Sequence, residues 1–398
     1  MALFDLVLRN LIRTGTLHVT DGNGARHVYA GSEPGPSAAM RINDARLHTQ
    51  IFLDPEMAIG KGYMDGALTL EDGVSLYQFL DVIYGNYINA PRTGAFGAVL
   101  TIQETIRRWL SRNPIQVARR NVAHHYDLKD ELFALFLDLD RQYSCAYFET
   151  PDATLDAAQV AKKRMIARKL ALNPGMKVLD IGSGWGGLGL TLAGEFGVDV
   201  TGLTLSENQH AVSNDRSVKE GLADRCRFVL RDYRQEFGRY DRIVSVGMFE
   251  HVGLRKYRDF FNLVAGLLSE DGVALIHTIG KFRRPGPVPS WTTKYVFPGA
   301  YVPTTAEVLP AVENSGLFVS DIEVWRLHYA ETLRHWREWL YANRAVVEKM
   351  YDARFFRMWD FYLTGSEIAF RQGELMILHL QLSKRLGTLP LTRKYMYA

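Results

Sequence analysis

Residues 178–187 combine a short apolar run, one acidic residue and four glycines. They read Val178-Leu179-Asp180-Ile181-Gly182-Ser183-Gly184-Trp185-Gly186-Gly187, and an apolar stretch typical of a helix follows. This pattern predicts a buried parallel strand that turns tightly into a helix, with a backbone bare enough for a ligand to lie against it. A turn that serves tight packing alone has a similar pattern, so other residues must decide between the two.

A dinucleotide is one ligand that such a turn binds. The spacing Gly182-x-Gly184-x-x-Gly187 fits a dinucleotide-binding turn, which also requires an acidic residue about twenty positions on, at the tip of the second strand. Here the second predicted strand ends at Thr204, and the next acidic residue is Glu207. The sequence therefore disfavours NAD.

Strands and helices alternate after residue 175. Strands are predicted at 176–181, 198–204, 226–230, 241–247 and 272–279. This alternation predicts an α/β fold with a parallel sheet covered by helices on both faces, and it places a ligand at the carboxyl ends of the strands. Two later runs, 317–327 and 375–382, are predicted to pair as an antiparallel edge.

Other segments permit two interpretations each. The helical stretch 331–365 is rich in aromatic residues, which suits either core packing or a lid over an apolar substrate. The stretch 101–120 carries five arginines beside Trp109 and suits either an anionic membrane surface or a solvated helix face. A helix from the N-cap Thr154 to about Leu172 precedes the glycine turn.

Composition sets bounds on the class of protein. The chain has 398 residues, 47% of them hydrophobic, and a net charge of +3 from 47 basic and 44 acidic residues. This balance disfavours a nucleic-acid partner bound by bulk charge. Cys145 and Cys226 give no disulfide framework and suit a reducing cytosol. No signal-peptide pattern and no apolar run of about 18 residues occur, so a cytoplasmic protein of two parts is expected.

Several further motifs accompany the glycine turn. They are Thr204-Leu-Ser-Glu-Asn-Gln209, Arg231-Asp-Tyr-Arg234, Val246-Gly-Met-Phe-Glu-His-Val-Gly253, His125-Tyr-Asp127, Tyr143-Ser-Cys-Ala-Tyr-Phe148, His277-Thr-Ile279 and Lys294-Tyr-Val-Phe-Pro298. Together with the glycine turn, they resemble the cyclopropane-fatty-acyl-phospholipid synthase family, which includes the mycolic acid methyltransferases. Upstream, residues 60–66 look like a signature of the N-terminal domain in the branch that modifies bacterial phospholipids. The resemblance implies a Rossmann-like class I S-adenosylmethionine methyltransferase sheet with a helical lid insertion, plus a small N-terminal α+β domain.

The resemblance also implies which residues hold S-adenosylmethionine. They are Tyr143, Ser144, Asp180, Gly182, Ser183, Gly184, Gly186, Thr204, Leu205, Ser206, Gln209, Asp232 and Tyr233. The turn would admit the methionine moiety along its backbone, while hydroxyl and amide side chains offer neutral hydrogen bonds to ribose. Asp232 also fits a structural role as the cap of a turn.

In that family the sulfonium methyl is added to a cis double bond of a phospholipid acyl chain, and a bound bicarbonate serves as base. The matching positions for bicarbonate are Cys145, Glu250, His277, Ile279 through its backbone, and Tyr329. Because an alkene is a weak nucleophile, the enzyme would mainly position it and exclude water. Core packing for Cys145 and His277, a bracing role for Glu250, and a cysteine-nucleophile triad of the three are alternatives; the triad leaves the glycine turn unexplained.

The chain departs from the family pattern at two places. Ser183 replaces a cysteine that is usual in the glycine turn. Near the C-terminus, Ser366 stands where the family often has a cysteine, and Glu367 adds a carboxylate that puts the product in doubt.

The expected partners are unsaturated phospholipid acyl chains and a membrane surface, with the protein cytoplasmic and peripheral to the inner face of the membrane. Residues 1–95 would engage lipid, 96–120 would form a basic linker helix, and 121–398 would carry catalysis. A homodimer is one candidate assembly, and no metal is expected because His124-His125 is too tight for one site. Methylation without ring closure and a non-catalytic lipid-binding protein are the rival functions.

Overall fold

The computed structural model describes residues 2–90 and 130–397. The chain folds into two compact units that are not consecutive in sequence. The described parts of the first are 2–90, 286–298 and 333–374, and those of the second are 130–285, 299–332 and 375–397. The predicted basic helix at 101–120, the linker 96–120 and the motif at 125–127 lie outside the described residues.

The first unit contains a four-stranded sheet in the order β2-β1-β3-β4. The strands are β1 (Thr14–Thr20), β2 (Arg26–Ala30), β3 (Glu33–Ile42) and β4 (Leu68–Leu70). Around them lie the helices α1 (Ala2–Leu11), α2 (Arg46–Leu53), α3 (Pro55–Asp65) and α4 (Leu76–Ile88). The small N-terminal α+β domain is therefore present.

The second unit contains a seven-stranded sheet in the order β10-β11-β9-β8-β5-β6-β7. The strands are β5 (Lys177–Ile181), β6 (Asp199–Thr204), β7 (Cys226–Leu230), β8 (Tyr240–Val246), β9 (Leu268–Lys281), β10 (Phe318–Trp325) and β11 (Leu375–Ser383). Strands β5 to β9 pair in parallel, and β11 pairs antiparallel with both β9 and β10. The predicted α/β sheet with an antiparallel edge is confirmed.

The helices of the second unit lie between its strands or flank them. They are α5 (Asp130–Ala134), α6 (Leu155–Lys169), α7 (Gly187–Phe196), α8 (Glu207–Lys219), α9 (Tyr257–Leu267), α11 (Thr305–Glu313) and α15 (Lys394–Tyr397). Thr154 caps α6 by accepting a hydrogen bond from the Ala157 N–H, as predicted. Among the described residues no helix has the length and apolar character needed to cross a membrane.

The aromatic insertion forms three helices, after the short α10 (Ser290–Tyr295). They are α12 (His328–Ala342), α13 (Arg344–Met350) and α14 (Ala353–Arg371). Within the first unit Trp336, Phe356 and Trp359 are buried, which agrees with core packing of these rings. A covering role over a substrate stays a prediction.

Candidate active site

The glycine turn after β5 requires glycine for two reasons. Gly182 and Gly186 have φ values of +90° and +86°, in the left-handed region that favours glycine. In addition, a Cβ on Gly182 would lie 2.8 Å from the Cβ of Met248. The turn is held to β6 because the N–H groups of Gly182 and Ser183 both donate to the Leu203 carbonyl, at 3.0 and 2.9 Å. Because Gly182 is in close contact with Met248, the turn also lies directly beside the segment that carries Glu250.

Asp180 is a buried acid just before this turn. Its side chain is 1% exposed, and Oδ2 has no hydrogen-bond partner among the described residues. Burial raises the pKa of this carboxyl to about 7. A buried polar atom without a partner indicates a place for a ligand donor. Together with the bare glycine backbone, Asp180 fits the polar end of S-adenosylmethionine.

The polar residues after β6 bond to one another. The Thr204 hydroxyl donates to Gln209 Oε1 at 2.9 Å, and the Ser206 N–H donates to Thr204 Oγ1 at 3.2 Å. Ser206 caps α8 by accepting from the Gln209 N–H. Leu205 is 40% exposed. This edge of the sheet thus presents neutral hydrogen-bonding groups and one exposed apolar side chain.

Asp232 and Tyr233 follow β7. Asp232 is buried, caps the turn Tyr233–Gln235 by accepting from the Arg234 N–H at 3.0 Å, and forms an ion pair with the Arg234 guanidinium. The structural role that the sequence left open for Asp232 is therefore present, and cofactor contact by this residue stays a prediction. Burial raises the pKa of Tyr233 to about 12, so its phenol is neutral.

Contacts with neighbouring residues hold Tyr143 and Ser144 near the glycine turn. The rings of Tyr143 and Trp185 both pack on Phe133, with centroids 5.3 and 5.0 Å away. The Lys162 ammonium donates to Ser144 Oγ at 2.8 Å and to Gln142 Oε1 at 2.7 Å. The segment 142–144 is thereby fixed close to the glycine turn.

Asp140 attaches the same segment to the glycine turn. Its carboxylate accepts from Lys163 at 2.6 Å and from Arg216 on α8 at 2.5 Å. A Cβ on Gly187 would lie 2.3 Å from Asp140 Oδ2, so the turn and the carboxylate are in close contact. Sequence reasoning missed both Asp140 and Lys162, because charged residues on a helix or loop are usually solvated.

Glu250 and Ile279 are in direct contact. The Ile279 N–H donates to Glu250 Oε1 at 2.6 Å, while Glu250 Oε2 has no hydrogen-bond partner in the part of the chain that the structure describes. Glu250 is 5% exposed, and burial raises its pKa. Burial therefore favours the neutral form of this carboxyl, and one of its oxygens is available.

His277 lies on β9, two residues before Ile279. It is 2% exposed, and burial lowers its pKa well below the usual range, so the ring is neutral. The Gly247 N–H donates to the His277 carbonyl at 2.9 Å, which joins β9 to the segment leading to Glu250. The structure thus brings Glu250, His277 and Ile279 together.

The segments that carry Cys145 and Tyr329 are hydrogen-bonded to each other at the N-terminal end of α12. The Ala146 N–H donates to Thr332 Oγ1 at 3.0 Å, and the Phe148 N–H donates to His328 Nδ1 at 3.1 Å. Cys145 and Tyr329 are both buried. The Cys145 thiol donates to the Ala146 carbonyl at 3.2 Å, and burial raises its pKa, which is the opposite of what a thiolate nucleophile needs.

Glu367, one of the two departures, lies in the first unit. It is buried and accepts from the Nε atoms of Arg337 at 3.1 Å and Arg371 at 2.9 Å. The carboxylate therefore has a structural partner on each oxygen, and Ser366 beside it is half-buried.

The parallel sheet, the glycine turn and the polar groups at the strand ends define a class I S-adenosylmethionine-dependent methyltransferase. The chain belongs to the family described as mycolic acid cyclopropane synthetase, which matches residues 114–380. This confirms the family resemblance seen in the sequence, and the enzyme is of the cyclopropane-fatty-acyl-phospholipid synthase type.

Two curated relatives illustrate this kinship. The chain is 32% identical over 366 residues to the cyclopropane-fatty-acyl-phospholipid synthase of Escherichia coli (strain K12), covering 89% of each protein. It is 38% identical over 287 residues to a probable fatty acid methyltransferase of Pseudomonas putida, covering 69% of this chain and 73% of that protein.

Solved structures agree with these relatives. The cyclopropane synthase MmaA2 from Mycobacterium tuberculosis is similar with a TM-score of 0.64 and 36% identity, covering 67% of this chain and 98% of that one. The mycolic acid cyclopropane synthase CmaA1, complexed with SAH and CTAB, has a TM-score of 0.64 and 35% identity, covering 68% of this chain and 99% of that one.

Proposed function

We propose that the enzyme forms a cyclopropane ring on the cis double bond of an unsaturated phospholipid acyl chain, with bicarbonate as the base. The observation that carries the proposal is the buried Glu250 carboxyl, which has one available oxygen and is held by Ile279, two residues from His277 on β9. The E. coli relative named as a cyclopropane-fatty-acyl-phospholipid synthase supports the substrate class.

The residues around the glycine turn fit S-adenosylmethionine. Asp180 would bind its polar end, and Tyr143, Ser144, Thr204 and Gln209 would surround the rest. When bound, S-adenosylmethionine supplies an electrophilic methyl group. The protein's own part is to hold the alkene in line with that methyl and to keep water away from it.

The site residues suit an anion because they are neutral hydrogen-bond donors. Burial favours the neutral forms of Glu250, His277 and Cys145. A protonated carboxyl, a ring N–H, a thiol and the Tyr329 phenol can each donate to a bicarbonate oxygen. The Ile279 N–H already donates to Glu250, so bicarbonate would share that donor.

Ring closure requires the loss of one proton. Methyl addition leaves a positive charge on the acyl chain, and the new methyl must release a proton as the second carbon–carbon bond forms. A bicarbonate held by neutral donors in a dry pocket would accept that proton, and its negative charge would stabilise the cation.

A second candidate is methylation of the acyl chain without ring closure. The Pseudomonas putida relative described as a probable fatty acid methyltransferase favours it. In that reaction the proton leaves from a carbon of the chain, and a double bond is retained.

We also propose that residues 1–95 engage lipid, that residues 121–398 carry catalysis, and that the protein works at the inner face of the membrane from the cytoplasm. Co-sedimentation with anionic and neutral vesicles at increasing salt tests the membrane contact, because salt screens exposed charges. Sedimentation equilibrium tests for a homodimer.

The first experiment is mass spectrometry and NMR of phospholipid vesicles incubated with the purified enzyme and S-adenosylmethionine. A gain of one CH2 with the alkene lost and cyclopropyl protons visible would establish ring formation. The same gain with the alkene retained would select the second candidate. No mass gain, together with no binding of S-adenosylhomocysteine by calorimetry, would identify a lipid-binding protein without catalysis.

A further inference from the structure

His277 faces a second histidine across the sheet. In the antiparallel register of β9 and β11, His277 lies directly opposite His379, and such pairs project from the same face. His277 Nδ1 and His379 Nε2 are 2.7 Å apart. Both side chains are almost fully buried, so the two rings are hydrogen-bonded to each other in an apolar interior.

The hydrogen bond continues to Lys169 on α6. Lys169 Nζ is 3.0 Å from His379 Nδ1, and Lys169 is 1% exposed. The ammonium also forms an ion pair with Glu323 on β10. Burial lowers the pKa of Lys169, and the Glu323 carboxylate opposes this shift by favouring the charged form.

The donors and acceptors of this series fix where each proton lies. An ammonium has donors and no acceptor, so His379 Nδ1 must accept from Lys169. The proton of the neutral His379 ring is therefore on Nε2, which donates to His277 Nδ1. His277 Nδ1 accepts, so the proton of His277 is on Nε2.

We propose that His379, Lys169 and Glu323 are positioning residues that hold His277 as a hydrogen-bond donor through Nε2–H. In this form His277 binds an anion and does not serve as the base. The role of the anion rests on the proposed function, whereas the location of the proton on His277 does not.

The packing around the pair opposes rotation of either ring. The Trp325 ring lies 4.0 Å from the His379 ring centroid and 5.6 Å, edge-on, from that of His277. Lys169 Nζ lies 5.6 Å from the same Trp325 ring. A ring flip would therefore require movement of a buried tryptophan as well as loss of two hydrogen bonds.

The same series prevents His277 from accepting a proton during the reaction. His277 could take up a proton from the site only if another proton moved away from it, through His379, to Lys169. Lys169 is an ammonium group with its full set of protons and cannot accept one. Lys162 and His328 are the other titratable groups that act on this pair, and Lys162 also disfavours a positive charge on His277. The base must therefore be another group.

Nitrogen-15 NMR of the histidine-labelled full-length enzyme tests the proposal. His277→Gln assigns the His277 signals by their loss. The expected spectrum shows His277 with a protonated Nε2 and an unprotonated Nδ1. A protonated Nδ1 on His277, or a doubly protonated ring at neutral pH, would overturn the proposal.

Two variants of His379 separate positioning from simple packing. His379→Phe fills the space without hydrogen bonds, and we expect mixed tautomers at His277 and a loss of about tenfold or more in turnover, as for other residues that orient a ligating histidine. His379→Gln should restore both readouts, because its amide can accept from Lys169 and donate to His277. If the phenylalanine variant folds and keeps the wild-type tautomer, His379 does not position the ring.

A matched control lies on the same strand. Gln381 is buried and donates to the Lys169 carbonyl, so Gln381→Leu disturbs β11 and α6 without touching the histidine pair. The tautomer of His277 should be unchanged in this variant. Should the tautomer be as predicted while turnover is independent of bicarbonate, the proposed function fails and the positioning role stands.

Discussion

The Ile279 backbone N–H and the Glu250 carboxyl are joined by a hydrogen bond of 2.6 Å. This bond fixes the short turn Phe249–His251 against β9, the strand that also carries His277. One carboxyl oxygen is thereby used for structure, and the other has no partner in the described chain. The arrangement pre-orients a single available oxygen, which is the geometry that a small ligand requires.

Replacement of Glu250 by glutamine should separate binding from turnover. The amide introduced there can still accept from Ile279 and donate to an anion, as the protonated carboxyl does. It cannot exchange a proton with bicarbonate, so the variant isolates the part of turnover that needs this exchange. We expect Glu250→Gln to bind S-adenosylhomocysteine with nearly wild-type affinity by calorimetry and to lose turnover by about 10²-fold or more. Glu270→Gln, at an exposed position, is the control. Unchanged turnover in Glu250→Gln would show that Glu250 serves only as a hydrogen-bonding group and exchanges no proton.

Asp180 should make the stability of the ligand-free enzyme depend on pH. Its pKa is about 7 in the folded protein and 3.8 in the reference state, so between about pH 4 and pH 7 the folded state binds more protons than the unfolded state. The free energy of unfolding therefore falls as pH rises through this window.

Asp180→Asn should abolish this fall in the free energy of unfolding with rising pH. In urea unfolding of the ligand-free enzyme, the free energy of unfolding of the variant should rise relative to that of the wild type by about 3 kcal/mol between about pH 4 and pH 8. Asp199→Asn, near the start of β6 at an exposed position, is the control. Parallel stability curves for Asp180→Asn and wild type would contradict the burial argument. The same variant should bind S-adenosylhomocysteine more weakly.

The two cysteines should be unreactive in the folded enzyme. Cys145 and Cys226 are buried, and burial raises the pKa of both thiols. We expect DTNB to label neither until denaturant is added. Rapid labelling of Cys145 in the native state would revive the nucleophile interpretation.

Removal of the Cys145 thiol gives an independent measure. If the thiol donates a hydrogen bond to an anion, Cys145→Ala should lose about 1.5–3 kcal/mol of transition-state stabilisation and keep measurable ring formation. Cys226→Ala is the matched control. A covalent nucleophile would instead leave no activity at all in Cys145→Ala.

Glu367 should be needed for stability of the first unit. Glu367→Gln removes the charge shared by Arg337 and Arg371, and a buried ion pair broken on one side costs about 3–5 kcal/mol. Ser366→Ala, next to it, should change stability by less than about 0.5 kcal/mol. Equal stability of the two variants in thermal unfolding would show that the arginines find other partners.

The parallel strands were predictable because each is a short apolar run bounded by turn residues. The prediction for β9 was too short: the run 272–279 extends to Leu268–Lys281, since Leu268 pairs with Tyr240 on β8 beyond an irregularity in the register. The region 15–55 also contains a helix, Arg46–Leu53, where Leu47, His48 and Ile51 are buried at helical spacing.

The histidine pair could not have been predicted. His379 lies in the apolar run 375–382, where a single histidine looks like a core residue, and its partner His277 is 102 residues away in sequence. The burial of Lys162 and Lys169 could not be predicted either, because a helix rich in lysine and arginine is usually solvated on its charged face. In α6 these two ammonium groups are buried instead, and each finds its acceptors on other elements.

The first unit is assembled from segments that are far apart in sequence and are therefore translated at different times. Ile368 and Phe361 of α14 pack into the same apolar core as Leu17 and Phe79. Nascent chains usually fold from the N-terminus as domains emerge. Here the N-terminal sheet must keep an apolar face open until α14 (Ala353–Arg371) has been translated. The core of the first unit is thus completed only after strands β5 to β10 of the second unit have been translated.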